Sequence, residues 1–446
     1  MCLSLEVIPW SNHTLIVHAL VSKLPFVKNA ESVKVETLEQ FLIENEQALA
    51  VFLNRQEKWM VRNLNHYAIR PEELEFKASG NISNIKKRFA HAIRINPLSR
   101  MALYLQLLPG EDRPSLKKLL PEDVRSYPNK DFLNRVNIVE LQAGQLIKPL
   151  DVLVTASDEP DHGLDLGLFK DSNTVFGKSY GFGVQPFGKS NIIYSSQAPF
   201  HMGFYHESAV VYQLASYVKQ TYPEYRILLY KQLSEFAFAQ GHDYWGWRFM
   251  GWGLHYIGDF SNPYHVTLMP GSSTLDLLEA GVLKTIGYDQ SEKDMTQLVT
   301  NRHILIEDFQ KISMSAAYRK GLMSHPLIKA LTLEGAEQDF HFHDVISLYA
   351  KKANTKADQV NKILLDNMPE RFANDVNFEY ASTPLRPHLL EEMIEQNGPK
   401  GVDMMTKTVA NLLTDFSTNA NSYIRSITNK KDIDSKFEEL AEYRRQ

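Results

Sequence analysis

The chain is poor in cysteine and has no strong excess of either charge. Cys2 is the only cysteine among 446 residues, so an internal disulfide is impossible and the fold must be held by its core or by metal. Acidic residues outnumber basic ones by 53 to 48, a formal net charge of −5. Proteins that bind nucleic acid through its phosphate backbone are usually basic, so this balance argues against a general nucleic-acid binder.

Long apolar runs are also missing, and no stretch of the sequence approaches the length that spans a bilayer. Within the first twenty residues, Glu6, Pro9 and Asn12 interrupt the apolar positions. Neither a basic start nor a small-residue cleavage site frames them. We therefore expect a protein without a conventional secretory signal, which is either cytoplasmic or exported by a route that reads another signal.

Most of the chain has the periodicity of helices. Hydrophobic residues make up 43% and charged residues 23% of the sequence, the usage of a globular rather than a disordered protein. Residues 152–155 and 191–194 favour short strands. The expected fold class is mainly α, because apolar side chains recur at helical spacing in several stretches: Leu38, Phe41, Leu42, Ala48, Val51 and Phe52; Val210, Leu214 and Val218; Leu229, Leu233 and Phe236.

Three blocks differ in composition. Residues 21–149 are a polar helical stretch, and residues 326–446 are again helical and highly charged. Residues 150–325 contain nearly all the unusual histidine, aspartate, glycine and tryptophan positions. We therefore expect the chemistry to lie in the middle block.

The strongest chemical signal is the segment His255-Tyr-Ile-Gly-Asp259-Phe-Ser-Asn-Pro263-Tyr-His265. His255 and Asp259 are four residues apart, so on a helix they share one face. Pro263 disfavours continuation of the helix and turns the chain, so His265 can reach the same centre. Two imidazoles and a carboxylate that converge suit a divalent metal, zinc first. The alternative is a buried helix with satisfied histidines, which does not require all three groups together.

A second pair, His303 and Glu307, repeats the spacing of four residues. Alone, it fits a surface pair worth a few tenths of a kcal/mol as well as it fits a metal site. Beside the first motif, it indicates the ligands of a second metal ion.

Together, His-Tyr-x-Gly-Asp-x-x-x-Pro-x-His and His-x-x-x-Glu resemble the motifs of the bacterial zinc-dependent phospholipase C family. The resemblance covers residues 1–20 and 150–325. It implies a helical catalytic domain with three zinc ions, a helical insertion at 21–149 and a C-terminal helical extension at 326–446. The nine ligand positions of the family can be filled in order by Trp10, His13, Asp158, His201, His255, Asp259, His265, His303 and Glu307.

The resemblance also implies how these ligands are shared. Asp259 would bridge two ions, one also held by Asp158, His201 and His255, the other by Trp10 and His13. The remaining ion would be held by His265, His303 and Glu307. The metals would polarise the phosphoryl oxygens and lower the pKa of a water that Asp158 activates. A glycerophospholipid such as phosphatidylcholine would yield diacylglycerol and a phosphorylated head group.

The sequence departs from the family in three places. The family tryptophan is the mature N-terminus, whereas nine residues precede Trp10. Only its carbonyl is then available unless the chain is trimmed, so two zinc sites are better supported than the third. His13 and Asp158 are also separated by far more residues than usual. Finally, His206 competes with His201 for one ligand position.

Two segments have alternative interpretations connected with lipid. Aromatic residues crowd the turns before His255, where they either form a surface that touches membrane or, as the favoured alternative, pack the helix: Tyr244, Trp245, Trp247, Phe249 and Trp252. Residues 275–283 are either a lipid-contacting flap or an ordinary helix.

The last ten residues, 437–446, are rich in glutamate, like the signals on substrates of bacterial type IV secretion. With the missing signal peptide and the insertions, the chain resembles the translocated phospholipase C effectors of Legionella. This implies a virulence protein that is moved into a host cell and degrades lipid there. We expect it to touch the membrane surface, to have no transmembrane segment and to bind no nucleic acid.

Two other functions stay open. A related fold is that of the zinc-dependent single-strand nucleases and 3′-nucleotidases, but that family usually ends in His-x-x-x-Asp, where this chain has Glu307. A third hypothesis is a non-catalytic, metal-stabilised effector whose flanking helical blocks bind a host protein.

Overall fold

The computed structural model describes residues 13–126, 137–188, 193–272, 290–332 and 338–428. Of these residues, 62% are helical and 3% are in strands, which confirms the mainly α class. Three predictions fall outside the described residues: the ligand Trp10, the segment 275–283 and the C-terminal signal at 437–446.

Sixteen α-helices run through the described part of the chain. The first eight are α1 His13–Val21, α2 Pro25–Lys28, α3 Leu38–Asn63, α4 Ile85–Ala92, α5 Pro121–Val124, α6 Pro149–Ala156, α7 Ala198–His201 and α8 Ala209–Leu214. The other eight are α9 Pro223–Ala239, α10 Asp243–Asp259, α11 Pro263–Val266, α12 Gln290–Arg319, α13 Pro326–Ala330, α14 Lys351–Asn367, α15 Glu370–Asn374 and α16 Leu389–Thr428. Gly398, with φ 68°, breaks α16 near its start.

Two small antiparallel ladders complete the described structure. Strand β1 (Val33–Lys34) pairs with β4 (Leu146–Ile147), and β2 (Tyr104–Gln106) pairs with β3 (Ile138–Glu140). In the second ladder Leu105 faces Val139. This places the side chain of Gln106 beside the first turn of α1, where its Nε2 donates to Thr14 Oγ1 at 2.9 Å.

Helix α10 lies at the centre of the fold and is buried from Tyr244 to Asp259. Two of its glycines allow neighbouring helices to come close. A Cβ on Gly251 would lie 2.6 Å from Ala156 Cβ of α6, and one on Gly253 would lie 1.8 Å from Tyr423 Oη of α16. The aromatic residues before His255 are all buried, so the packing alternative is confirmed: Tyr244, Trp245, Trp247, Phe249 and Trp252.

One buried apolar cluster extends from Leu15 to Ile427 and includes residues of all three blocks. In the block 21–149, the ring of Phe41 stacks on Trp245 with centroids 6.0 Å apart. Gln56 Nε2 donates to Gln232 Oε1 at 2.9 Å. The flanking blocks therefore pack directly on the helices that carry the motifs.

The prediction of a strand at residues 152–155 is wrong. These residues lie in α6, which begins at Pro149, a residue whose fixed φ suits the first turn of a helix. Its β-branched side chains favour strands in isolation, but here they are buried against the core. The second predicted strand, at 191–194, ends in a 3-10 helix, Ile193–Gln197, and its first two residues are outside the described part.

Candidate metal centre

Histidine and carboxylate side chains from six segments meet beside the C-terminal end of α10. Within the described residues, four groups of at least three such side chains have ligand atoms within 4.8 Å of one another. Three of these groups lie at this centre: His13, Asp161 and His255; His201, His255 and Asp259; and His265, His303 and Glu307. Of the nine predicted ligands, seven are in these groups.

The pair on α12 meets the histidine of α11. His303 Nε2 lies 2.9 Å from His265 Nε2 and 2.9 Å from Glu307 Oε1, and the last two atoms are 3.0 Å apart. The Nδ1 of His265 lies 2.9 Å from the carbonyl oxygen of His201. A carbonyl only accepts, so this Nδ1 carries the hydrogen and Nε2 of the neutral ring points a lone pair at the group.

Pro263 and Asn262 place His265 there. The side chain of Asn262 caps α11 by accepting from the backbone N–H of Tyr264 at 3.1 Å, and Pro263 occupies the first helical position. The helix α10 ends at Asp259, and a turn of three residues leads into α11. The sequence expectation that the proline turns the chain back toward the first motif agrees with this geometry.

The second group surrounds His255. Its Nε2 lies 3.0 Å from His201 Nδ1 and 3.5 Å from Asp259 Oδ2, and His201 Nδ1 lies 3.0 Å from the same oxygen. His255 Nδ1 faces the carbonyl oxygen of Ser157 at 2.8 Å. Its hydrogen is therefore on Nδ1, and Nε2 is free to act as a ligand.

The two oxygens of Asp259 face different neighbours. Oδ2 faces His201 and His255, whereas Oδ1 lies 3.3 Å from Nε2 of His13. His13 is the first residue of α1 and is buried, and its ring centroid is 3.9 Å from that of His255. A carboxylate in this position can serve two ions, one on each oxygen.

Sequence reasoning missed Asp161 and Asp165, which follow α6. Asp161 Oδ1 lies 3.8 Å from His255 Nε2 and 3.9 Å from His201 Nδ1. Burial raises the pKa of Asp161 to about 6, against the charges of His201 and His13. A signal was present in the sequence, because four acidic residues fall within 158–165 next to the expected ligand Asp158.

Asp165 supports His201 from behind. It lies 3.5 Å from His201 Nε2, and it also binds Arg226 Nη2 at 2.6 Å and the hydroxyl of Tyr256. All of these groups are buried. A carboxylate on the far side of a ligating histidine can orient its ring, and Nδ1 of His201 faces Asp259 and His255 at the centre.

Asp158 lies at the edge of the centre. Its Oδ1 accepts from the backbone N–H of Thr14 at 3.0 Å, and its Oδ2 accepts from Gln106 Nε2. It is fully buried and is not in any of the three groups. These bonds tie the loop after α6 to the start of α1 and hence to His13.

His201 and His206 occupy different places. His201 ends α7 and lies in the centre, whereas His206 Nε2 donates to the carbonyl oxygen of Ile346 at 2.8 Å. His201 belongs to one of the three groups at this centre, and His206 belongs to none of them.

The histidines of the cluster shift in different directions, because burial and the charge of His13 lower the pKa of His255 well below its usual range, whereas those of His201 and His265 are raised. Burial alone lowers the pKa of His201, but hydrogen bonds to neighbouring carboxylates outweigh it and raise the pKa to about 10. For His265, the charge of Asp259 and the bond to Glu307 likewise overcome burial and raise the pKa to about 9. Burial raises the pKa of Glu307, yet the two histidines bring it down to about 2. Without metal, protons on His201 and His265 would balance the neighbouring carboxylates.

The donor set fits divalent metal ions. Each group combines imidazole nitrogens with at least one carboxylate, the ligand types of zinc and related ions. The lone pairs of His255 and His265 are directed inward because backbone carbonyls hold their other nitrogens. Ligand atoms about 3 Å apart are compatible with a shared ion that binds nitrogen and oxygen at about 2.0–2.2 Å.

A cavity of 30 Å³ opens beside these groups. Its lining includes four residues of the three groups: His13, Asp259, His265 and Glu307. Aliphatic side chains also line it, among them Val409 and Leu412 of α16.

Comparison of the chain with protein-family models, with curated proteins and with solved structures finds no match in any of the three. Among the helices of the described residues, none combines the length and the apolar character that crossing a bilayer requires.

Proposed function

We propose that the protein is a zinc-dependent phospholipase C that hydrolyses glycerophospholipids such as phosphatidylcholine. The observation that carries the proposal is the convergence of three ligand groups around Asp259, with both of its oxygens engaged. Clustered divalent metals are suited to in-line displacement at phosphorus, where they stabilise the attacking and leaving oxygens. The motif resemblance supplies the substrate class.

In this proposal one ion would be held by His201, His255, Asp259 and Asp161, and a second by His265, His303 and Glu307. A third would be held by His13 and Asp259, with Trp10 as the expected further ligand. When bound, zinc supplies Lewis-acid polarisation of the phosphoryl oxygens and lowers the pKa of water.

We assign the base to Asp161 in place of Asp158. Both oxygens of Asp158 already accept hydrogen bonds, from Thr14 and Gln106. Asp161 Oδ1 also accepts a hydrogen bond, from Gln197 Nε2 at 3.3 Å, but it faces the nitrogens of His201 and His255, and Asp161 belongs to one of the three groups whereas Asp158 does not. From there it can accept a proton from a water held between the groups.

The water oxygen then bonds to phosphorus as the bond from phosphorus to the glycerol oxygen breaks. The proton on Asp161 is available for the departing alkoxide, so diacylglycerol leaves as the neutral alcohol.

Diacylglycerol release from mixed phospholipid vesicles tests the proposal. The wild-type protein should release diacylglycerol when zinc is added, and a strong chelator should stop this release. Asp259→Ala should release none in either condition. Asp243→Ala is a matched control, because Asp243 is an exposed residue at the start of the same helix. A folded, zinc-loaded protein that releases no diacylglycerol would refute the proposal. Cleavage of single-stranded DNA would then favour the nuclease, and no turnover at all the non-catalytic effector.

Translocation into a host cell belongs to the same proposal, resting on the glutamate-rich end of the sequence. Fusion of residues 437–446 to a reporter, delivered from a strain with and without a type IV secretion system, tests it separately from the chemistry.

A further inference from the structure

A second cavity, of 390 Å³, is lined by residues of α1, of β2 and the loop after it, of α6 and of the end of α12. Its volume falls in the range of about 300–1,000 Å³ that small-molecule sites occupy. None of the residues in the three metal groups lines it. It is therefore a different site from the metal centre.

Aliphatic side chains form much of the lining: Leu105, Leu107, Leu108, Leu150 and Val154. Leu108 and Leu150 are only half-buried, so part of this apolar surface is accessible from solvent. Hydrocarbon that covers such a surface leaves water, and each methylene buried in this way lowers a dissociation constant by about fourfold.

His18 contributes a hydrogen-bond acceptor to the lining. The hydroxyl of Tyr318 donates to the carbonyl oxygen of Leu15 at 3.2 Å, so it accepts the hydrogen of His18 Nδ1, which is 2.9 Å away. Burial lowers the pKa of His18 to about 4, and the ring is therefore neutral at pH 7. Its Nε2 then carries a lone pair and has no partner among the described residues.

The charged residues of the lining carry one negative charge in excess. Arg113 Nε donates to Glu111 Oε1 at 2.9 Å and its Nη2 to Asp151 Oδ2 at 3.1 Å, so one guanidinium faces two carboxylates. Within the described part of the chain, no group donates to Oδ1 of Asp151. Burial raises the pKa of Asp151 although Arg113 opposes the shift. Two lysines also act on these groups, but Lys23 and Lys148 are exposed and lie outside the lining.

We propose that this cavity binds an amphiphile that carries a protonated amine on a hydrocarbon chain. An ammonium group offers three donors and no acceptor, which complements the open acceptors of His18 and Asp151 and the excess negative charge. The aliphatic surface receives the chain. A carboxylate in the same place would meet Glu111 and Asp151, so a fatty acid is disfavoured. This inference goes beyond the proposed hydrolysis and does not depend on it.

Isothermal titration calorimetry of the full-length protein with n-hexylamine, 1-hexanol and hexanoate tests the proposal, because the three ligands share one chain length and differ in the end group. At neutral pH, hexylamine should bind most tightly and hexanoate most weakly. Lengthening the chain from n-butylamine to n-octylamine should lower the Kd by about fourfold for each methylene.

Asp151→Asn locates the binding site. It should raise the Kd of hexylamine by about tenfold, because a charge-assisted hydrogen bond is lost, and it should leave the Kd of hexanol unchanged. Asp415→Asn is the matched control. Asp415 also pairs with a cation, its side chain is 21% exposed against 22% for Asp151, and it does not line the cavity.

Four results would overturn the inference. The first two are the absence of hexylamine binding at about 10 mM and binding of hexanoate as tight as that of hexylamine. The third is a Kd that rises equally for hexylamine and hexanol in Asp151→Asn, which excludes a contact specific to the ammonium group. The fourth is hexylamine binding that persists in Asp151→Asn and is lost in Asp259→Ala, since the amine would then coordinate metal at the other site.

Discussion

Two clusters in this protein combine histidine with carboxylates at similar distances, but only one has the hydrogen-bonding character of a metal site. In the cluster formed by Glu36, Glu44 and His242, ligand atoms also lie within 4.8 Å of one another. Nδ1 of His242 lies 2.8 Å and 3.0 Å from the two oxygens of Glu36, and Asn45 Nδ2 lies 2.7 Å from Nε2. One ring nitrogen thus donates and the other accepts, and the neutral ring is satisfied.

The centre around His255 is built differently. A backbone carbonyl takes the hydrogen of Nδ1, and Nε2 then faces His201 Nδ1 at 3.0 Å and Asp259 Oδ2 at 3.5 Å. Acceptor atoms crowd there, and either a metal ion or protons on the histidines must lie between them. Proximity of histidine and carboxylate is therefore weak evidence for metal, and the balance of donors and acceptors is the stronger criterion.

The largest expected effect comes from Asp259→Ala, because Asp259 faces two of the ligand groups. Loss of a residue that only orients a ligand costs about 10–100-fold in metal affinity or activity, so loss of a shared ligand should exceed about 100-fold in turnover. Metal analysis after gel filtration should show fewer bound ions, while far-UV circular dichroism remains helical. If this variant keeps wild-type turnover or its full metal content, Asp259 is not a ligand of the metal centre.

Glu307→Gln should have the next largest effect. The substitution keeps the shape of the side chain and removes the charge that faces His265 and His303. We expect one fewer bound zinc ion per chain and a loss of turnover of at least about 10-fold, the lower bound for a residue that only orients a ligand. The same substitution in the other cluster, Glu36→Gln, is the matched control. If both variants lose the same amount of metal, the two clusters are equivalent and the comparison fails.

The candidate ligands whose proximity could be predicted from the sequence are those that lie on one helix. His303 and Glu307 lie on one turn of α12, and His255 and Asp259 on one turn of α10, so a spacing of four residues was enough to bring each pair together. The mainly α class followed from the same periodicity. Asp161 and Asp165 were missed because they lie in a 3-10 turn and the loop after it, where no simple period relates a side chain to a face.

Tertiary packing explains the remaining differences between the sequence predictions and the structure. The strand expected at 152–155 is helical because α6 packs closely on α10 at Gly251, a contact that no local pattern encodes. Likewise, part of the aliphatic lining of the cavity comes from Val409 and Leu412, more than 100 residues after the last predicted ligand. The composition of residues 326–446 predicted only a highly charged helical block.

Glu224 is a third kind of buried acidic group, one whose charge is neutralised by a proton. Burial raises its pKa from 4.5 to about 8. The folded state therefore binds more protons than the unfolded state between these pH values, and stability falls as pH rises from about 4.5 to about 8. Glu224→Gln should be more stable than wild type at pH 9 and similar to it at pH 4, since each pKa unit corresponds to about 1.4 kcal/mol.

Urea unfolding at the two pH values measures this difference, with the exposed Glu395→Gln as the control for loss of one charge. If Glu224→Gln raises the free energy of unfolding by the same amount at both pH values, protonation of Glu224 is not coupled to folding.

The smallest effect on metal binding is expected at His242, because both nitrogens of its ring already have hydrogen-bond partners. Glu36→Gln replaces an acceptor of His242 Nδ1 by an amide whose oxygen still accepts, so the zinc content and turnover should match wild type. The free energy of unfolding should fall by about 1 kcal/mol, because a charge-assisted hydrogen bond becomes a neutral one. Equilibrium dialysis against zinc and urea unfolding measure the two quantities on one preparation. A drop in bound zinc without any change in stability would show that His242 also holds an ion, and donor–acceptor balance would then no longer separate the two clusters.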